Sequence, residues 1–323
     1  MKRRQFGAML ATAAFSLGGV TGVAADASAQ ETEPLQVEDV SVNLGSVTAS
    51  IGQATFAFEE GTMRFQVSDW SMEDASRSLS IGQAYVAADD VDAETYAAVR
   101  SGMVESVGNE SLSPLLTALA EADVSPDAPV RLFVESVEAD GQLVADQITA
   151  TGTVDSVVPE GSQELVQDGA SLSEAAALGP SEWSRLTIQR GDAEFTANDV
   201  VMQREDAAVA ISSPGGSATV SGRSFDFEEM TTTLRPPETI PAAHVEFASQ
   251  LRELASEGSL SLSAIRSAAA DSGVTVANTS EAVQNARFDL SLANVSEGGE
   301  TVVSNFETSG TLSELTQVLG QRV

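Results

Sequence analysis

Cysteine is absent from this 323-residue chain, and lysine and histidine occur once each, as Lys2 and His244. No disulfide can staple the fold, no thiol can act as nucleophile or metal ligand, and no lipidated cysteine can anchor the chain. A lone lysine at position 2 leaves the body of the chain without Schiff-base chemistry, a Ser-Lys dyad or a lysine-bearing phosphate loop. A lone histidine means that any Ser-His-Asp triad must use His244, and no G-x-S-x-G elbow supplies its partner. Zinc or copper sites built on imidazole or thiolate are excluded by the same count. His244 falls on the apolar stripe of its predicted helix, with Phe247 and Leu251, which is the pattern of a structural histidine at a core edge. Aromatic residues make up only 5% of the chain, so stacking platforms for sugars are sparse. Beyond the N-terminal segment no stretch approaches the roughly 18 apolar residues of a membrane span.

What the chain has in excess is acid. Asp and Glu number 48 against 16 Lys and Arg, for a formal net charge of -32 and a pI near 4.1. Such a surface repels itself in dilute buffer, whereas at molar salt the Debye length shrinks to about 3 Å and the carboxylates tolerate one another. Nucleic acid and anionic membranes are poor partners, because both need basic patches that are missing here. A solvated surface adapted to high salt accounts for the acidity; a dedicated cation-binding surface is the alternative. At 42% hydrophobic residues the chain can still bury a real core.

The N-terminus carries Lys2-Arg3-Arg4-Gln5-Phe6-Gly7, an apolar run from Ala8 to about Ala25, and Ala27-Ser28-Ala29. The order of basic pair, apolar run and A-x-A site resembles a twin-arginine export signal, with Arg3, Arg4, Phe6, Ala27 and Ala29 as its defining residues. Cleavage there would start the mature chain at Gln30; a buried N-terminal helix is the competing expectation. Signal and acidity together resemble the secreted proteins of haloarchaea, which implies an extracellular or loosely surface-associated location. The resemblance covers targeting and composition only, and implies no fold family and no cofactor.

Sequence similarity between the halves predicts a duplication. Gly52-Gln53-Ala54-Thr55-Phe56 matches Gly191-Asp192-Ala193-Glu194-Phe195 at an offset of 139, a register that continues to Met63 and Met202. Later matches run at 140 and 144, and Gly141 through Thr151-Gly152-Thr153 pairs with Gly299 through Ser309-Gly310-Thr311 at 158. Nested inside, Ile51-Gly52-Gln53-Ala54 recurs as Ile81-Gly82-Gln83-Ala84. Each such unit reads as a strand with period-2 alternation that ends in an acidic turn: Glu59-Glu60, Asp89-Asp90, Asn198-Asp199 and Glu228-Glu229.

Helical periodicity follows in each half. Asp92 can cap a helix bearing Tyr96, Val99, Met103 and Val107, and Ser113-Pro114 can open a second one. In the second half Pro241 precedes a helix with Val245, Phe247, Leu251 and Leu254; Ser261 starts its partner, which Gly273 ends. Strands at 130–137 and 143–154, and again at 286–293 and 300–311, close each copy around Asp140-Gly141 and Gly298-Gly299. The expected architecture is α+β, a tandem duplication in which each copy has antiparallel strands, then a helix pair, then a β-hairpin. Its parts are a signal peptide at 1–29, a first repeat at 39–157, a linker at 158–183 and a second repeat at 184–316.

Carboxylate chemistry is what remains available. Asp90, Asp92 and Glu94 have the alternation of a calcium loop, but Thr95 and Ser101 stand where its glycine and closing acid belong, so an acidic helix N-terminus competes with a metal site. Asn109, Asn278 and Asn294 head N-glycosylation sequons. The leading functional expectation is a non-enzymatic structural or interaction module at the cell surface or exterior, with a protein partner. The alternative is a carrier of lipid or another apolar ligand, with Tyr96, Met103, Phe247 and Leu251 lining a groove between sheet and helices. A carboxylate-dependent hydrolase is the lesser alternative.

Overall fold

A single antiparallel ladder runs through the molecule, and it carries nearly all of the described secondary structure. The computed structural model describes residues 33–44, 47–75, 77–109, 114–115, 118, 121–157, 180–205, 208–237, 242–256, 262–275, 278, 285–311 and 314. The first half comprises β1 (Leu35–Leu44), β2 (Val47–Glu59), β3 (Thr62–Glu73), β4 (Ser78–Ala88), helix α1 (Ala93–Asn109), β5 (Pro129–Ala139), β6 (Gln142–Thr153) and the four-residue α2 (Val154–Val157). The second comprises β7 (Ser181–Arg190), β8 (Ala193–Glu205), β9 (Ala208–Ser213), β10 (Gly215–Val220), β11 (Arg223–Phe227), β12 (Glu229–Arg235), α3 (Ala242–Ser256), α4 (Leu262–Ser272), β13 (Arg287–Glu297) and β14 (Glu300–Thr311).

This corrects the α+β expectation. The chain is predominantly antiparallel β: one 14-stranded sheet with few, short helices among the described residues. The halves are not separate layered units, because β6 pairs β7 from Gln147↔Gln189 to Thr151↔Arg185. Strand β7 starts inside the stretch expected to be linker; residues 158–179 lie outside the described residues. The helix expected after Ser113-Pro114 also lies largely outside them, as does the whole export signal with Arg3, Arg4, Phe6, Ala27 and Ala29.

The physical reason for the difference is a break in alternation that crosses the long strands β1–β8, β13 and β14. In β3 the buried residues are Met63, Phe65 and Val67, and then Trp70, so the inward phase slips by one at Asp69. Asp69 has φ 54° and drops out of the ladder opposite Gly52 of β2 and Gly82 of β4. Followed across the sheet, the unpaired positions form one transverse seam: Asp39, Gly52, Asp69, Gly82, Ser136 and Asp146. Left-handed residues Asp39, Asp69 and Ser136 alternate along it with glycine. The pairing is steric: a Cβ on Gly52 would stand 2.9 Å from Asp69 Cβ, and one on Gly82 would stand 3.0 Å from Ser136 Cβ. Aspartate is among the few L-residues that enter the left-handed region at modest cost. Either side of the seam the inward side chains are spaced by three, as in Ile51/Ala54, Val67/Trp70 and Ile81/Ala84.

The second half repeats this order with β9/β10 and β11/β12 each standing where the first half has one strand and with two helices before the closing hairpin, and it has its own seam. Asp199 (φ 47°) sits opposite Ser184, and Asn294 (φ 49°) drops out between Ala293 and Val295. Between them the ladder is interrupted at Pro214 and Glu228, which divide β9 from β10 and β11 from β12. The structurally equivalent inward residues Ile51/Ala54 and Ala197/Val200 differ by 146, not 139. Gly52 lies mid-strand in the seam, whereas Gly191 lies in the β7–β8 turn, so the match read between them does not join equivalent positions. Asn198-Asp199 and Glu228-Glu229 are likewise mid-sheet seam residues and not the acidic turns expected of them.

Turn chemistry and capping anchor the ends of the ladder. Glu60-Gly61, Asp140-Gly141, Ser221-Gly222 and Gly298-Gly299 all have both residues at positive φ, the geometry whose twist matches paired strands. Helix α1 is capped by Asp92, whose Oδ1 accepts from Thr95 N at 2.6 Å. It is held to the sheet by Tyr96, fully buried and stacked on Phe56 and Phe58 at 4.8 and 5.3 Å between ring centres. Helices α3 and α4 pack on one another, and the principal strand contact of α4 is with β1, at the far edge of the other half.

Candidate functional site: an apolar face that opens in the second half

Opposed residues on adjacent antiparallel strands share a face, so a row of them can be followed strand by strand. One such row is Val37–Ala54–Val67–Ala84–Val134–Ile148–Ile188–Phe195–Ala218–Phe225. Beside it runs Leu35–Phe56–Phe65–Val86–Leu132–Ala150–Leu186–Ala197–Gly216–Phe227. Two parallel apolar rows thus cross ten strands without one polar side chain. On β1–β4 they are core: Val37, Ala54, Val67 and Ala84 are all buried. From β5 onward the first row comes into the open, with Val134 and Ile148 half-buried. Ile188 is 37% exposed, Phe195, Ala218 and Phe225 are half-buried, and Val220, next inward-facing on β10, is 52% exposed.

Aromatic packing shapes this open part. Phe195 and Phe227 stack at 5.6 Å, and the Phe227 ring lies so close over Gly216 that a Cβ there would fall 2.4 Å from its Cζ. Arg223 closes one end. Its guanidinium lies 5.1 Å from the Phe225 ring centre and donates to both carboxylate oxygens of Glu297, at 2.9 and 2.6 Å. These bonds hold the Glu297 carboxyl below its ordinary range and raise the pKa of Arg223. The same face continues to β14, where Val303 and Phe306 stand opposite Val295 and Leu292 and are 40% and 44% exposed.

Among the polar groups buried in the described core are the indoles of Trp70 and Trp183. Neither Nε1 has a hydrogen-bond partner among the described residues. An orphaned buried donor is uncommon, and each is available to an acceptor oxygen that reaches it.

The residues expected from sequence fall elsewhere. Tyr96 has no exposed surface; its hydroxyl donates toward the carbonyls of Glu33 and Phe56, both at 3.1 Å, and burial raises its pKa. It is core, and lines no groove in this structure. Met103 packs against the same core, while Phe247 and Leu251 are half-buried on α3. These four are not brought together on one open surface. Asp90 (φ 57°) ends the β4 connection, Asp92 is spent as a cap with its carboxyl lowered by the Thr95 amide and hydroxyl, and Glu94 is exposed in the first turn of α1. No cluster of three acidic or imidazole side chains that could hold a metal occurs among the described residues. Asn109 ends α1, its side chain outside the described residues; Asn278 donates to Gly273 O at 3.3 Å. Asn294 is exposed at the seam and donates to Glu228 Oε2 at 2.6 Å. No described helix is long and apolar enough to cross a membrane.

Ile188, Phe195, Ala218 and Phe225 escaped sequence reasoning because the rows join residues from seven to fifty positions apart. A signal was present: each lies in a short run of alternating apolar residues, and ladder register turns those runs into a surface. No family model, curated protein or solved structure matches the chain.

Proposed function

We propose that this is an exported, high-salt-adapted binding module that carries an apolar ligand on the open part of this face. The observation that carries the reading is the first apolar row, which passes from core on β1–β4 to half-buried and exposed surface on β7–β11 without a change of chemistry, while the second row beside it stays largely buried. Exposed apolar side chains gathered on one face, here Ile188, Val220, Val303 and Phe306, are the kind of surface that binding sites use. The described face offers a ligand no cation except Arg223, which Glu297 neutralises. The recognised chemistry is therefore an aliphatic chain. No residue on the face has the arrangement of a catalytic group, and carriage requires none.

Mass spectrometry of an organic extract from protein purified in molar salt tests the reading directly. A stoichiometric lipid or other aliphatic compound, absent from a control protein prepared in parallel, is expected. Saturable binding of a fluorescent fatty-acid probe should fall at least tenfold on Ile188→Lys, a half-exposed site where the folded state tolerates a charge. An empty extract together with no saturable probe binding would sink the carrier and leave the structural module, for which the edge strand β14 speaks.

A further inference from the structure

We propose that β14 is a docking edge for β1 of a second copy of this chain, joined in the register that already joins the two halves. The sheet ends at β1, which pairs only β2, and at β14, which pairs only β13, so each leaves an outer edge without a strand partner among the described strands. Strand β14 has twelve residues, without Pro, Lys or Arg, and its first ten are all exposed. Natural edges are normally blunted by such residues, by shortness or by a cover, because unpaired N–H and C=O groups template another strand.

The occupant follows from the repetition of topology. Strand β14 holds in the second half the place of β6 in the first, and β1 holds the place of β7. The molecule therefore contains one worked instance of the joint, the β6–β7 ladder from Gln147↔Gln189 to Thr151↔Arg185. Equivalent positions differ by 158 between β6 and β14, and by 146 between β1 and β7. Transferring the register sets Asn305 to Ser309 of one copy against Asn43 to Asp39 of the next. Phe306 then meets Val42 as Ile148 meets Ile188. The row that Phe306 now terminates, Ser213–Met230–Leu292–Phe306, would continue into the apolar face of the neighbour. Helix α4 touches β1 but adds no strand to it.

Such a joint uses different surfaces on its two sides, so copies add head to tail and build rings or open chains instead of closed dimers. Both edges are acidic, with Glu38 and Asp39 on β1 and Glu300 and Glu307 on β14, so association must strengthen as salt screens them.

The absence of native cysteine makes cross-linking decisive. Full chain carrying both Val42→Cys and Phe306→Cys, oxidised in molar salt, is expected to give a ladder of multimers on a non-reducing gel. The pair Ser41→Cys and Phe306→Cys, one residue out of register, should give none. Unsubstituted protein should sediment as multimers in molar salt and shift toward monomer in dilute buffer, with slowed amide exchange at 305–309 in the multimer. Monomers at every salt concentration, equal cross-linking from both pairs, or a disulfide confined within one chain would each overturn the proposal. Lipid binding is not among the readouts, so the joint and the carrier can fail separately.

Discussion

Asp92 shows how a single acidic residue in a chain with 48 of them becomes committed to structure. Its Oδ1 takes the Thr95 amide at 2.6 Å while its own carbonyl accepts from Tyr96 N at 3.1 Å. That satisfies donors which an uncapped helix start would leave to solvent, and places a negative charge at the positive end of α1. Loss of a cap of this kind costs about 1 kcal/mol, so Asp92→Ala should lower stability by that amount at neutral pH, while Asp92→Asn keeps most of it. The carboxyl titrates below its ordinary value of 3.8 in the folded chain. A group depressed on folding stabilises above its unfolded pKa and loses that contribution as pH falls through the lower, folded value. Urea titrations of wild type and Asp92→Asn in molar salt should therefore converge as the pH is taken progressively below the ordinary carboxyl value of 3.8. A gap that persisted unchanged over that range would mean that the ionised form is not what the cap uses.

At the scale of elements the decisive feature is the seam, and it can be tested as a contact between two strands. Gly52→Ala sets a methyl group 2.9 Å from Asp69 Cβ, and an overpacked contact of this sort costs about 1–3 kcal/mol. Asp69→Gly removes both the opposing Cβ and the non-glycine residue from its left-handed conformation. Alone it should be close to neutral, and combined with Gly52→Ala it should recover most of the loss. A double-mutant cycle from thermal or urea unfolding reads this coupling, and additivity of the two changes would mean that the seam residues do not pack as a pair. The seam also explains which elements were legible in the sequence. Helix α1 was, because Asp92 and the 3.6-residue stripe through Tyr96 and Val99 point to the same element. So were the hairpin turns at Asp140-Gly141 and Gly298-Gly299, whose residues accept positive φ. The closing strands were legible too, expected at 130–137, 143–154, 286–293 and 300–311 and found as β5, β6, β13 and β14. Strands β2, β3 and β8 were not read at full length, because each changes inward phase at its middle, and a period-2 reading splits such a strand in two. That splitting turned Asn198-Asp199 and Glu228-Glu229 into turns and made a continuous sheet look like alternating layers. The nested Ile-Gly-Gln-Ala motif was the visible trace: it repeats because two strands cross the same seam. The apolar face was illegible for another reason, since its rows exist only once register is known.

For the molecule as a whole the governing quantity is the formal charge of -32. The described ion pairs involve few of the acids, among them Arg77–Asp140, Arg131–Asp89 and Arg223–Glu297, and all lie at the surface, where such pairs contribute little. The sheet therefore folds against self-repulsion that its own cations do not cancel, and salt must do so. The sign of the pH dependence should invert with ionic strength. In dilute buffer, protonating carboxylates between pH 7 and about 5 removes repulsion that is denser in the folded body than in the expanded chain, so stability rises as pH falls. In molar salt that repulsion is already screened over about 3 Å. What remains is the effect of groups such as Asp92, Asp140 and Glu297, whose folded pKa values are lowered by hydrogen bonds from Thr95, from the Ser78 amide and from Arg223. Each stabilises while ionised and is lost on acidification, so in molar salt stability should fall as pH drops below about 4. Thermal unfolding midpoints across pH 3 to 8 at both salt levels measure the two slopes. Curves that keep the same slope at both would show that the acidity of this chain is electrostatically idle in the fold and bears on solubility alone.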